Sequence, residues 1–126
     1  TIKIFFNNSI GTDGDCTAVT PVSRSVSSKT SVYRTALEAL FDGPTADEKI
    51  LGLTTSLPSA VRLKSVAADG SGMVFADFSR SLERGVAGSC RVAGIRAQIE
   101  ETLKQFPEVR GVTIAEEGRT EGILQP

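Results

Sequence analysis

Apolar and polar residues alternate at the start of the chain, where TIKIFF puts Ile2, Ile4 and Phe6 on one face and Lys3 on the other. That period of two predicts a strand, and the turn-forming run NNSIGTDGD ends it. The segment TAVTPVSRSV is also β-branched and alternating, but Pro21 cannot donate to a ladder, so a short edge strand is predicted there. The period then changes. Tyr33, Ala36, Leu37, Leu40 and Phe41 recur at three and four spacing behind a capping Ser31, predicting a helix that Gly43 and Pro44 stop. Thr45 and Glu48 stand in the capping-box relation and open a second, short helix ending near Gly52.

Residues 60–79 read as a hairpin, with AVRLKSVA and MVFADFS as strands and a turn centred on Asp69 to Gly72. SLERGVAGS is a loop. Beyond it Val92, Ile95, Ile99, Leu103 and Phe106 form the apolar stripe of a long helix that Pro107 ends, with Arg96, Glu100 and Lys104 as i,i+4 charges on its solvated side. Val109, Val112 and Ile114 make a last strand closed at EEG, and Ile123 and Leu124 in the tail are expected to dock on the body. The order β, β, α, short α, β, β, α, β carries two one-sided main helices. It predicts a two-layer α+β domain: a small, mostly antiparallel sheet with both main helices on one face.

Length and charge narrow the possibilities. At 126 residues a single domain spanning 1–126 is expected, with a core over about 2–118 and a tail over 119–126. Lys plus Arg number 14 against 15 Asp plus Glu, a balance that gives no field for a polyanion and argues against nucleic acid as a partner. No apolar run is long enough to span a bilayer. The single methionine, Met73, and the opening Thr1 lead us to expect a piece of a longer chain whose start, with any membrane anchor, lies upstream.

Candidate chemistry is sparse. Without histidine, Ser-His-Asp and Cys-His arrangements cannot be assembled, and two cysteines fall short of a structural zinc site. No cofactor or metal is expected. Cys90, in GSCRVAG at a helix mouth beside Arg91, leaves three readings open: a thiol activated by the helix end, a buried inert thiol, or half of a bridge to Cys16. An even cysteine count favours the bridge if the domain is exported. The acids of DGDC suggest a calcium loop, but counting from Asp13 the sixth position is Ala18 and the twelfth Arg24, so a plain turn is expected. GVAG at 85–88 is a lone GxxG, and Asp77 with Glu83 is a carboxylate pair of undetermined spacing; both read as structural rather than as anion cradle or glycosidase pair.

Three runs together carry a resemblance: ALEALFDGPT (36–45), TTSLPSAVRLKSV with MVFADFS (54–66 and 73–79), and IRAQIEETLKQFPEVRGVTI (95–114). Over about residues 2–118 the chain resembles the GerMN domain, also called the sporulation/germination GerM domain. In that pattern Gly43, Pro44 and Thr45 form the helix-stop corner, and Gln98, Thr102, Leu103, Phe106, Pro107 and Val109 belong to the second long helix and its exit. The resemblance implies a fold related to ring-building motifs, α+β modules that stack in envelope assemblies. It also implies a place outside the cytoplasm in bacterial lipoproteins or membrane-anchored proteins, and no enzymatic activity. The expected role is a non-catalytic interaction module whose partners are other envelope proteins or copies of itself. One alternative is binding of peptidoglycan glycan through Phe5, Tyr33 or Phe75; another is a thiol enzyme using Cys90.

Overall fold

A computed structural model of the chain describes residues 1–8, 16–26, 31–83, 88–120 and 123, residue 83 by its backbone alone. Strand β1 (Ile2–Asn8) pairs antiparallel with β2 (Val19–Arg24). Helix α1 (Val32–Phe41), helix α2 (Ala46–Ile50) and the two-residue strand β3 (Leu53–Thr54) follow. Strands β4 (Leu63–Ala68) and β5 (Met73–Phe78) form the expected hairpin, and a 3-10 turn at Arg80–Glu83 leads on. Helix α3 (Ser89–Lys104) and strand β6 (Gly111–Glu116) complete the order.

The α+β class is as expected, but the strands divide into two three-stranded sheets, β2-β1-β3 and β4-β5-β6, where the sequence predicts one. In the second sheet β5 and β6 run parallel, because the chain returns through α3 between them rather than through a tight turn. Both helices serve both sheets: α1 and α3 pack on each other and on β1, while α1 also meets β4 and α3 also meets β6. Ile4, Phe6, Leu37, Leu40, Val74, Phe78, Ile95, Ile99 and Leu103 accordingly belong to one buried cluster.

The division into two sheets has a local cause. Phe5 faces Pro21 across the β1–β2 ladder, and proline supplies no N–H, so the backbone groups of Phe5, and by alternation those of Lys3, point to the opposite edge of β1. β3 reaches only Asn7 and Asn8 on that edge. Side chains of α3 satisfy the rest. Thr102 Oγ1 accepts from Phe5 N at 3.3 Å, and Gln98 Nε2 donates to Phe5 O at 3.3 Å. Gln105 accepts from Lys3 N at 2.8 Å and donates to Lys3 O at 2.6 Å. Residues 98, 102 and 105 lie at i, i+4 and i+7, one stripe of a helix, beside the apolar stripe of Ile95, Ile99 and Leu103. The stripe stands where a further strand would pair, and so keeps the second sheet apart from β1.

Cys16 and Cys90 form a disulfide with a Cα–Cα distance of 5.2 Å, which ties the segment before β2 to the first turn of α3. Neither sulfur is left as a thiol, which removes the reactive-cysteine reading. Across a separation of 74 residues the chain-entropy account gives a contribution of about 4 kcal/mol. Ile123 docks in the core as expected, and Arg96, read from sequence as a surface charge, donates to its carbonyl at 3.4 Å. Leu124 lies outside the described residues, as do Asp13 to Asp15 of the DGDC turn and residues 85–87 of GVAG.

Two stability measurements follow. Gln98→Leu leaves the carbonyl of Phe5 and the N–H of Ser56, which Gln98 also accepts from, without their partner in the interior, and is expected to cost about 2 to 4 kcal/mol in urea unfolding. A loss under about 0.5 kcal/mol would show that β1 does not need this stripe. Reducing the disulfide is expected to lower stability by about 4 kcal/mol without loss of the far-ultraviolet helix signal at low temperature.

Candidate functional site

The first helix ends where its sequence says it must. Asp42 is the last residue with helical angles, and Gly43 follows at φ +78°, a conformation that side chains with a Cβ rarely adopt. Pro44 then turns the chain away, and Thr45 starts α2 with a complete capping box: Glu48 N donates to Thr45 Oγ1 at 3.2 Å, and Thr45 N donates to Glu48 Oε1 at 2.9 Å. The corner, α2 and the strand beyond it enclose a groove of about 620 Å³. Phe41, Pro44, Leu53, Leu57 and Pro58 make its apolar lining, and Asp42 and Lys49 stand among its polar members.

One wall, Thr54 to Ser59, is the TTSLPS run, and α3 holds it in place. Gln98 Oε1 accepts from Ser56 N at 2.8 Å, Arg91 Nε donates to Ser56 O at 2.9 Å, and Ser56 Oγ donates to Asn7 Oδ1 at 2.5 Å. This close approach requires Gly94, since a Cβ there would lie 2.6 Å from Ser56 Oγ. Gln98 also exchanges contacts with Thr55 Oγ1 and is fully buried with each of its polar atoms engaged. Helix α2, which contributes Lys49 to the lining, is tied to β2 by a bidentate ion pair from Arg24 to Glu48, both contacts at 2.6 Å. The hydrogen bonds from Arg24 hold the Glu48 carboxyl down at about 2, well below its ordinary range, and the same contact raises Arg24.

Beside the groove the surface is apolar. Ile50 is 79% exposed and Leu51 69%, an adjacent aliphatic pair that the described residues leave uncovered. Such a pair at the end of α2 is unlike the scattered apolar residues of an ordinary surface because it lies next in sequence to residues that line an apolar recess.

Among the residues predicted from sequence, Gly43 and Pro44 line the groove and Thr45 caps its helix, while Gln98 sits behind the wall and Thr102 under β1. Phe106 and Pro107 lie elsewhere. Phe106 packs edge-on against Tyr33 at 5.4 Å, and Pro107 borders a polar cavity of about 520 Å³ with Tyr33, Asp69, Ser71, Glu108 and Arg110. There the Tyr33 hydroxyl donates to Glu108 at 2.6 Å, which raises the phenol and lowers the carboxyl. Asp77 accepts from Gly118 N at 2.9 Å and so braces the turn after β6; the side chain of Glu83, its suggested partner, is outside the described part. Phe75 is 40% exposed on β5, and Phe5 is half-buried. Among the described residues no group of three or more Cys, Asp and Glu side chains could hold a metal ion, and no helix is long and apolar enough to cross a membrane.

The sequence reading missed Asn7, Ser56, Arg91, Gly94 and Gln105. A glycine inside an apolar helical stripe marks a close approach, so Gly94 was a legible signal; Arg91 was read only as a neighbour of the thiol.

A fold of two small sheets sharing two helices is that of GerMN domains. The tandem GerMN domains of the sporulation protein GerM from Bacillus subtilis superpose with a TM-score of 0.67 at 17% identity, covering 99% of this chain and 42% of that one. The first GerMN domain of the same protein gives a TM-score of 0.65 at 20% identity, with 95% and 86% covered. A Clostridium perfringens protein named as a candidate lipoprotein gives 0.60 at 15% identity, with 94% and 74% covered. Comparison with curated proteins finds no match. The family described as sporulation and spore germination (Germane) matches residues 3–122, and the chain belongs to it.

The Arg24–Glu48 pair predicts a pH dependence. Because the folded carboxyl titrates at about 2 and an unfolded one near 4.3, its contribution is fully present above about pH 4.5 and is lost as pH falls toward 2. Both side chains keep some solvent contact, 23% and 16%, so a difference of about 1 to 2 kcal/mol between the wild type and Glu48→Gln is expected at pH 7. It should vanish by about pH 2 in denaturant titrations; a difference unchanged down to that pH would remove the charge from the account.

Proposed function

We propose that the chain is a non-catalytic interaction module acting outside the cytoplasm, in the bacterial cell envelope, and that it takes up an apolar segment of a partner protein in the groove between the α1 stop and the TTSLPS wall. The observation that carries this reading is the apolar lining of that groove next to the uncovered Ile50 and Leu51. Burying such a pair of side chains on a partner is favourable by the same effect that buries a core. Rigid walls support it. Gln98, Arg91 and the Arg24–Glu48 pair hold the recess open before anything enters, so little ordering is required on binding.

The Cys16–Cys90 bridge supports the compartment, since such bonds persist where the medium is oxidising. The likeness to the Clostridium perfringens candidate lipoprotein agrees with it. Family membership makes a role in sporulation or germination the natural setting. A glycan-binding reading has one observation in its favour, the polar cavity where Tyr33 stands beside Asp69, Glu108 and Arg110. Sugar hydroxyls pair with carboxylates and guanidinium, but Tyr33 and Glu108 already satisfy each other.

Placing a photo-crosslinking amino acid at position 51 tests the reading in the cells that make the protein. Cross-linked products in the envelope fraction are expected from position 51 and not from the exposed Glu101 on α3. No product from position 51, or the same products from both, would remove the groove as the binding surface. Retention on purified peptidoglycan that Tyr33→Ala abolishes and Leu51→Asp leaves intact would replace it with the glycan reading.

A further inference from the structure

The groove and the projection beside it belong to the same stretch of chain. Lys49 and Leu53 line the recess, and the exposed Ile50 and Leu51 lie between them in sequence. A surface that carries an aliphatic projection immediately next to an aliphatic recess is complementary to itself. Rotated by half a turn, each copy offers its projection to the other's recess. A cavity of about 620 Å³ lined by Phe41, Pro44, Leu53, Leu57 and Pro58 has room for two aliphatic side chains.

Charge points the same way. Asp42 and Lys49 are of opposite sign and both line the groove. Neither side chain makes a hydrogen bond or ion pair within the described residues; the Asp42 carboxylate acts only at a distance, on the Arg24 guanidinium that Glu48 already holds. In a two-fold arrangement Asp42 of each copy faces Lys49 of the other, so the pairing is made twice around the buried aliphatic contact. A partner of unrelated sequence would have to supply an apolar projection and both charges in matching order; a second copy already has them.

We propose that the occupant of this groove is a second copy of the chain, which inserts Ile50 and Leu51 into the recess at the α1 stop while its own recess receives theirs, with Asp42 and Lys49 paired across the two-fold axis. The proposal rests on the groove reading above and names its partner.

Sedimentation velocity on the oxidised protein, from about 1 µM to about 1 mM, is expected to show a reversible monomer–dimer equilibrium. Ile50→Asp with Leu51→Asp is expected to weaken it by about 100-fold or more, and Asp42→Lys or Lys49→Asp alone by about tenfold. The decisive arm is a mixture. Asp42→Lys and Lys49→Asp chains each repel their own kind but complement one another, so an equimolar mixture, like the doubly reversed chain, should dimerise as the wild type does. These positions are on the surface, and a cooperative thermal transition at a concentration where every chain is monomeric shows that each variant folds. A chain monomeric throughout the range, or single reversals that dimerise like the wild type, or a mixture that stays monomeric, would overturn the proposal. If the monomeric chain still gave cross-links from position 51 to another protein, self-pairing would fall and the groove reading would stand; if neither appeared, both would fall.

Discussion

A row of three side chains on one helix takes the place of a strand. Gln98, Thr102 and Gln105 on α3 make with Lys3 and Phe5 the hydrogen bonds that a neighbouring strand would otherwise make. A backbone group buried without a partner costs about 1 to 3 kcal/mol, so the half of β1 that β3 does not reach needs this service, above all at the part-buried Phe5. The helix provides it only while it lies close along β1, and that fixes its position relative to the first sheet. With α3 placed, the return from β5 to β6 must be parallel, and the second sheet is set beside the first rather than joined to it.

The same helix then builds the recess. Gln98 faces two ways, toward Phe5 in β1 and toward Thr55 and Ser56 in the wall. Arg91, about two turns toward the N-terminus, grips the carbonyl of Ser56, and Gly94 leaves the space that Ser56 needs. The disulfide at Cys90 secures the first turn of the helix, adjacent to Arg91, which has no side-chain cap from Gly88. Groove, wall and cross-link are thus consequences of one helix and its two faces: one apolar, one polar and turned inward.

The helix and corner residues that carry the resemblance have structural tasks in this fold, and none of them is a reactive group. Gly43 and Pro44 shape the recess, Thr45 opens α2 on its rim, and Gln98 supports its far wall. Phe106 and Pro107 serve the exit of α3, where Phe106 meets Tyr33. These residues shape a recess bordered by the exposed Ile50 and Leu51, the surface on which the proposal of an interaction module rests.

Sequence by itself determined the elements and their ends. Alternation marked β1, threefold and fourfold spacing marked α1 and α3, Gly43–Pro44 and Pro107 marked stops, and the Thr45–Glu48 relation marked α2, because each of these signals acts within a few residues. Pro21 likewise announced an edge strand. Only the tertiary structure decided that there are two sheets, that Gln98 and Thr102 point inward, and that the TTSLPS wall faces the helix-stop corner. Those facts depend on hydrogen bonds between residues about 40 to 100 positions apart, and a polar side chain at helical spacing reads as solvated until the backbone it must satisfy is known. β3 escaped for the same reason: two residues carry no period, and Leu53–Thr54 is a strand only because Asn7 and Asn8 are there to pair with it.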